Sequence, residues 1–521
     1  MSLRFHSISL ILAATVLTSS AQTDAKVAYQ ERQYLGNVSL GSDNPVSIYY
    51  MPITDIADIR VDYTHHSGDL HLIDEAGRAN DWAVSFTGLK SVGKVVFQGG
   101  LTYNNRSLDD RRWNNTLFVS HYNPFIIGDS IRSKFNCETF ALDGGAVYTP
   151  SRHLKLALRA YYNVGSSATQ KDPRPDIKGM RFALNPGVEY SFGNHAAGLS
   201  GNVGWLSEES STTVVRTTTK QYLFLFQGLG VYEAKDAMGY KRKYNGMRYS
   251  VNLQFTLNRD NSATVSDFIE LGYHGEYENA TDGSSATKYK GGRYSGSGFS
   301  LYNRLRISQG DRIMHNITLS GLMHKTTGRW YTQKQSTDAQ GNLIYEVINE
   351  SDNLEGHDYS GNIGYRFDLL DGTLPTLSAS ANGTIDRSET KNRLYGAREE
   401  YTNMTVSADV TKRFPIKGSW LSATLGGLYH SSLDSKLNIA NMPPTYSLIM
   451  QRYTRPAFDD ATASYWGING NITYSLPLRL LKYDSTLNIA VNADYRSQTG
   501  STPTLSGADR YYVGGSVGFV F

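Results

Sequence analysis

From residue 59 to the end of the chain, apolar and polar positions alternate in short runs. Leu154, Leu156, Leu158, Ala160 and Tyr162 interleave with Lys155, Ala157, Arg159, Tyr161 and Asn163. Leu487, Ile489, Val491, Ala493 and Tyr495 interleave in the same way with Asn488, Ala490, Asn492, Asp494 and Arg496. A period of two sends successive side chains to opposite faces of a strand, so each run has one oily and one wet face. The last run keeps the rule: Tyr511, Val513, Val517, Phe519 and Phe521 stand against Tyr512, Gly514, Ser516 and Gly518, with Gly515 the single gap on the apolar side.

The connections between runs come in two kinds. Eight tight turns fall near residues 90–93, 150–153, 193–195, 258–262, 309–311, 368–373, 412–418 and 477–484. Between them lie longer or more polar connections at 207–244, 279–292, 325–356, 431–460 and 498–507. A soluble sandwich has no reason to keep short turns on one side and long loops on the other for a whole chain, whereas a barrel threaded through a bilayer does. Eight turns join sixteen runs, and 59–66 and 511–521 raise the count to about 18. The expected fold is therefore all-β: a transmembrane antiparallel up-and-down β-barrel of about 18 strands, or 16 if one pair is a hairpin above the membrane. Short turns are expected on the periplasmic side and long loops outside.

A charge on the lipid face near mid-bilayer costs roughly 2–4 kcal/mol, which fixes the phase of each strand. On that phase the lumen wall carries Arg60, Arg159, Arg181, Arg248, Arg304, Arg306 and Arg366, with Asp62, Glu189, Glu270, Asp358, Asp409 and Asp494. The mixed signs predict mutual neutralisation within the wall rather than a preference for anions or cations.

Composition agrees. The 521 residues include 36 Tyr, 49 Gly and only 14 Pro, a strand-and-turn bias with aromatics suited to two interfacial girdles. Past the start of the chain no run of about 18 apolar residues occurs, so helical spans are excluded. A net charge of +3 with no basic stripe argues against nucleic acid as a partner. Cys137 is the sole cysteine, so it makes no internal disulfide and no thiolate metal site, and is expected to be a small buried residue.

The first residues break the pattern. Arg4 supplies a positive charge, 8–17 an apolar core, and Ser19-Ser20-Ala21 the small residues a signal peptidase requires, so 1–21 reads as a cleaved signal peptide. No cysteine follows the cleavage point, so a lipoprotein is not expected. Residues 22–56 do not alternate; 29–34 suits a short helical turn and 41–45 a turn cluster. They are expected to form an N-terminal arm, periplasmic or folded into the lumen, ahead of a barrel over 57–521.

Signal peptide, alternating strands, one-sided long loops and the terminal Phe521 together resemble the large outer-membrane β-barrels of Gram-negative bacteria. The chain is most similar to the uncharacterised barrels that accompany TonB-dependent transporters in some anaerobic Gram-negative bacteria. The resemblance implies location in the outer membrane, contact with its lipid and delivery through the barrel assembly machinery. It allows a surface lipoprotein or a TonB-dependent transporter as a further partner. A TonB-dependent transporter itself would need a plug domain of over a hundred residues and about 22 strands; the arm is far too short. Asn44-Pro45 also resembles a turn in the plug of outer-membrane fatty-acid transporters.

Motifs for chemistry are lacking: there is no Gly-x-Ser-x-Gly elbow, His-Glu-x-x-His, phosphate loop or dinucleotide fingerprint. Residues 291–298 are glycine-rich but open a strand, so loop flexibility is the expected role. His65, His66 and His71 cluster in sequence, yet neighbours on a strand face opposite sides, and no metal or other cofactor is expected. His274 and Glu270 share a strand face and His430 is also available, as in barrel-wall hydrolases, but four strand residues span roughly 13 Å, too far for a hydrogen bond. The expectation is a non-enzyme.

Two segments are too apolar to be simply solvated: 105–135, with Trp113, Phe118, Tyr122, Pro124, Phe125, Ile126 and Ile127, and Tyr222-Leu-Phe-Leu-Phe226. They are read either as a lumenal constriction or ligand contact, with Trp113, Tyr122, Phe125, Tyr222, Phe224 and Phe226 its main side chains, or as strands continuing above the membrane into a sheet rim. The leading functional expectation is a channel or transport component that passes or captures small solutes and is narrowed by inward-folded loops. A closed barrel serving as adhesin or scaffold and an outer-membrane hydrolase are the alternatives.

Overall fold

The computed structural model describes residues 28–259, 264–283, 288–480 and 483–521. The signal-peptide expectation lies outside these residues. So do parts of the expected turns at 258–262 and 477–484 and of the connection at 279–292.

Eighteen strands pair antiparallel with their sequence neighbours, and the first, Ile56–Gly68, pairs with both the second, Arg78–Val92, and the last, Asp509–Val520, so the sheet closes on itself. The seam is tied at its end by Phe521 N–H to the Ala57 carbonyl at 2.8 Å and the return bond at 3.2 Å. Closure removes the unpaired edges that an open sheet of this size would present. The barrel is inverted relative to a soluble core. Leu425 is 72% exposed on the outer face and Arg304 is 0% exposed inside, which is the partition expected when the outer solvent is lipid. Aromatics mark both borders of the outer belt: Tyr148, Tyr190 and Phe192 near the short turns, Trp82, Trp205, Tyr249, Trp466 and Tyr511 toward the long loops. No helix among the described residues is long and apolar enough to cross a membrane.

The tight turns fall where alternation breaks, although strands extend further into the polar connections than the pattern shows. The connection expected over 325–356 is largely a two-stranded ribbon, because Ile313–Thr337 and Leu343–Asp371 continue in pairing to a turn at 338–342. Beyond the bilayer both faces are wet, so alternation is no longer required and its signal vanishes. Likewise 207–213 and 241–244 belong to strands, and 105–111 ends the strand Val95–Arg111.

The glycine-rich run 291–298 is not a flexible loop but part of the strand Tyr289–Gln309. Its missing side chains leave room inside the barrel. At Gly292, whose φ is +153°, an added Cβ would lie 2.2 Å from the Phe125 ring, and at Gly296 it would lie 2.6 Å from the His324 ring. Cys137 is buried with its Sγ 2.8 Å from Ser167 Oγ.

Two segments enter the barrel from opposite ends. At the short-turn end, residues 28–55 form a helix, Tyr29–Gly36, and a 3-10 turn, Pro45–Tyr50, both seated on the inner wall. At the long-loop end, residues 112–132 fold inward and join a hairpin, Tyr222–Gly228 with Val231–Asp236, and a helical stretch at 447–461.

Candidate functional site

The two apolar segments singled out in the sequence form one body. Ile127 pairs with Leu225 and Gly128 with Phe224, making a three-stranded sheet with the hairpin. The pleat of Tyr222–Gly228 divides its side chains. Leu223 and Leu225 face the barrel wall in a cluster with Phe125, Ile127, Tyr244, Ala280 and Tyr294. Phe224 and Phe226 turn the other way and pack with Trp113 and Ile449; the Trp113 ring lies 5.5 Å from Phe224 and 5.8 Å from Tyr453. Trp113 and Phe125 are 1% and 0% exposed, so the segments are packed solid rather than lying open as a surface. Tyr122 stacks on His324 at 4.0 Å, and Tyr222 alone of the six stands exposed.

Polar contacts decide which part of the wall receives this cap. Glu208 accepts from the backbone N–H groups of Leu117, at 2.9 Å, and Phe118. Glu278 accepts from Ser120 N–H at 3.1 Å and Asn123 Nδ2 at 2.8 Å, and Arg181 donates to the Phe118 carbonyl. Arg242 and Asp282, both almost fully buried, make a bidentate pair with two contacts of 2.7 Å. From that pair Arg242 donates to the carbonyls of Phe125 and Ile126 at 3.2 and 3.3 Å, and Tyr244 adds a 3.0 Å bond to Phe125. Each group solves the other's problem. A buried carboxylate or guanidinium is tolerated only when hydrogen-bonded, and the irregular backbone at 115–126 needs partners that a regular sheet would otherwise supply. Below the loop a chain of contacts runs from His274 Nε2 to His324 Nδ1 at 3.0 Å, from His324 Nε2 to Tyr294 OH at 3.0 Å, and on to Glu276, which also pairs with Arg248 at 2.6 Å.

The arm meets the same sector of the wall from the other end. Arg304 donates to the Tyr34 carbonyl at 2.7 Å and the Asn37 carbonyl at 3.1 Å, with its guanidinium 3.8 Å from the Tyr34 ring centroid. Arg306 reaches the Leu35 carbonyl at 2.9 Å. Glu31 is held between Arg366 and Arg413, Glu270 accepts from Ser42 and from Asp43 N–H, and Glu189 takes Tyr50. Asn44 caps the 3-10 turn through Val46 N–H at 3.0 Å and reaches Gln254 at 3.1 Å.

The lumen-wall residues read from alternation all lie on the inner face, but neutralisation within the wall explains only some. Arg159 pairs with Asp143, Arg248 with Glu276 and Glu278, Arg60 with Asp58, and Asp494 with Arg496. Arg181 and Arg304 instead serve carbonyls of the inserted segments, and Glu270 serves their donors. Glu270 and His274 share no hydrogen bond; His274 turns to His324. His65 and His66 pack against Tyr511 and Tyr512, on opposite faces of the strand, and among the described residues no group of three or more His, Cys, Asp or Glu could hold a metal ion.

Glu208, Glu276, Glu278, Arg242, Asp282 and Glu31 were not marked by the sequence reading. Glu276 and Glu278 carry a usable signal, two acids at i and i+2 on the lumen face of one strand. The 447–461 stretch carries Ile449 and Tyr453 at helical spacing inside an otherwise polar connection.

Opposite this packed sector the lumen stays open. A cavity of about 340 Å³ lies along the inner faces of the strands between 397 and 520 and of Ile56–Gly68. Its lining includes Thr424, Asn471, Asn488, Asn492 and Ser516, and the helix Tyr29–Gly36 forms its floor through Tyr29 and Glu31. Tyr29 is latched to Asp58 at 2.6 Å.

No curated protein matches the sequence. Solved structures that resemble the fold include the ferric preacinetobactin receptor BauA of Acinetobacter baumannii, with TM-score 0.41, 9% identity and coverage of 89% of this chain and 80% of that one. Also similar are the outer-membrane transporter YddB of Escherichia coli, with TM-score 0.38, 8% identity and coverage of 90% and 81%, and the RagAB peptide transporter, with TM-score 0.40, 6% identity and coverage of 89% and 86%. A family model matches residues 45–521, and the chain belongs to that family, described as a family of unknown function, DUF6850.

Proposed function

We propose that the protein is an outer-membrane channel for small solutes, exported by a cleaved signal peptide and narrowed to one side of its lumen by the inserted loop and the N-terminal arm. The observation that carries this reading is the open cavity of about 340 Å³ beside a sector packed from both ends. A barrel meant only to display loops gains nothing from leaving a polar cavity open beside a packed sector. In this reading Trp113, Tyr122, Phe125, Phe224 and Phe226 build the constriction on the outer side without touching solute, and Arg60 and Arg413 are the wall arginines that line the path. The arm narrows the periplasmic side, and its latches at Asp58, Arg366 and Arg413 set how far it yields. Lipid and the barrel assembly machinery are the obligatory partners; a neighbouring TonB-dependent transporter or surface lipoprotein would dock on the long-loop end.

Conductance in a planar bilayer tests the reading. The wild-type protein is expected to show small, steady channels, and replacement of residues 112–128 by a short Gly-Ser linker is expected to enlarge them. Absence of current in both forms would overturn the channel and favour the closed barrel.

A further inference from the structure

Hydroxyls and amides dominate the cavity wall. They project into it from adjacent strands and bond to one another in short pairs: Thr411 with Thr424 at 2.8 Å, Thr473 to Asn471 Oδ1 at 2.9 Å, and Ser475 to Asn488 Oδ1 at 2.6 Å. These pairs use oxygens. The side-chain amide nitrogens of Asn471, Asn488 and Asn492 donate to no group among the described residues, and Asn492 makes no side-chain hydrogen bond to them. The charges at the cavity are of both signs and mostly paired: Glu31 holds Arg413 at 2.9 Å and Asp58 holds Arg60 at 3.3 Å, which leaves Asp62 without an ion pair among the described residues. The Asp62 side chain makes no hydrogen bond among the described residues, and Trp420 adds aromatic surface.

A wall of this kind discriminates by what it fails to offer. An anion entering it would leave bulk water for neutral dipoles and for arginines already paired with carboxylates, and a cation would find the single carboxylate of Asp62, whereas a neutral solute dense in hydroxyls exchanges water hydrogen bonds for amide and hydroxyl ones at little net cost. Its donors and acceptors alternate on a scale of a few ångströms, as do those of a sugar ring, and the aromatic surface suits the ring's C–H faces.

Building on the channel reading, we propose that the corridor is a binding path for neutral saccharides of one or two rings, with Asn471, Asn488, Asn492 and Asp62 as the contacts that recognise hydroxyls. The sugars are distinguished from equally small charged solutes by the hydroxyl-rich wall rather than by size.

The test uses the full-length protein in liposomes and planar bilayers. Swelling rates are compared for glucose, glucosamine and gluconate, which match in size but not in charge, and sucrose is titrated against the open-channel current. Faster swelling with glucose than with either charged analogue, together with block of the current by sucrose, supports the inference. Asn492→Leu and Asn471→Leu should each weaken the block roughly 2- to 10-fold, the loss of one neutral hydrogen bond, while Asn492→Gln should retain most of it. Equal swelling with all three solutes, or a current indifferent to sucrose, would overturn the saccharide path and leave the channel standing. Absence of current and swelling for every solute would overturn the channel reading, and this inference with it.

Discussion

The two sides of this lumen are built from the same strands by opposite rules. Between 174 and 371 the inner wall carries buried charges whose partners lie in other parts of the chain: Arg304 on the arm's carbonyls, Glu208 and Glu278 on the loop's N–H groups, Arg242 on Phe125. Between 397 and 520 the inner wall carries mostly hydroxyls and amides whose partners are adjacent, such as Thr411 with Thr424, with Arg413 on the arm's Glu31 as the exception. A buried charge is costly unless it is fully hydrogen-bonded, so a charged wall recruits a filling and holds it in place. A wall of small neutral dipoles is satisfied by itself and by water, and stays open. Charge placement, more than strand geometry, decides which side of this barrel is blocked.

That contrast can be broken most severely at Arg242 and Asp282. Asp282→Ala leaves a buried guanidinium without its carboxylate, and removal of one partner from such a pair costs about 3–5 kcal/mol; the loop should detach, seen as rapid amide exchange over 112–128. Gly292→Ala tests the same seat by shape alone. Its Cβ would fall 2.2 Å from the Phe125 ring, and overpacking of this kind costs about 1–3 kcal/mol; larger channels are expected without any change of charge.

On the arm, Glu31→Gln removes the charge held by Arg366 and Arg413. Charge-assisted hydrogen bonds contribute about 1.5–3 kcal/mol, and partial exposure of Glu31 and Arg366 puts the effect toward the lower figure. Faster proteolysis within 28–40 would show it, with the loop unaffected.

The effect of pH is expected to be smaller and confined to the cap. Burial pushes Asp460 up to about 7, with Asp459 adding to the shift and Arg112 opposing it. Burial likewise raises Asp129 to about 6 against the bonds it accepts from Asn115 and Ile131 N–H. Both carboxyls ionise near pH 4 in an unfolded chain. At lower pH they are protonated in either state and contribute nothing. As pH rises from there through about 7, the closed cap must accommodate charges that the open one solvates. Loop protection should therefore fall between about pH 4 and about pH 7 and level off above it, and Asp460→Asn should flatten the profile. The smallest change is expected from Thr424→Val on the open wall: one neutral hydrogen bond is lost, about 1 kcal/mol or less in the thermal unfolding of the barrel.

The barrel was legible because lipid enforces it. A single slipped residue would put Arg304 or Arg159 in hydrocarbon, so alternation had to survive wherever a strand crosses the membrane. At 325–356 the same pairing continues with both faces wet, and the sequence shows only a polar stretch. The cap was half legible. Trp113, Phe125 and Phe224 are too apolar for solvated loops, but the pairing of Ile127 with Leu225 joins segments far apart in sequence, which no local period records. The lumen arginines were placed by phase, whereas their partners could not be, since backbone carbonyls such as those of Tyr34 and Asn37 leave no trace in residue identity.

The central claim, that one side of the lumen is packed and the other conducts, is tested most directly by the single-channel conductance of Asn492→Trp beside the wild type. Asn492 lines the cavity from the strand Tyr483–Gln498, outside the arm and the cap, so an indole there takes up cavity volume. The wild type is expected to show a small steady conductance and the variant almost none. A conductance unchanged by Asn492→Trp would place the path elsewhere and contradict the account.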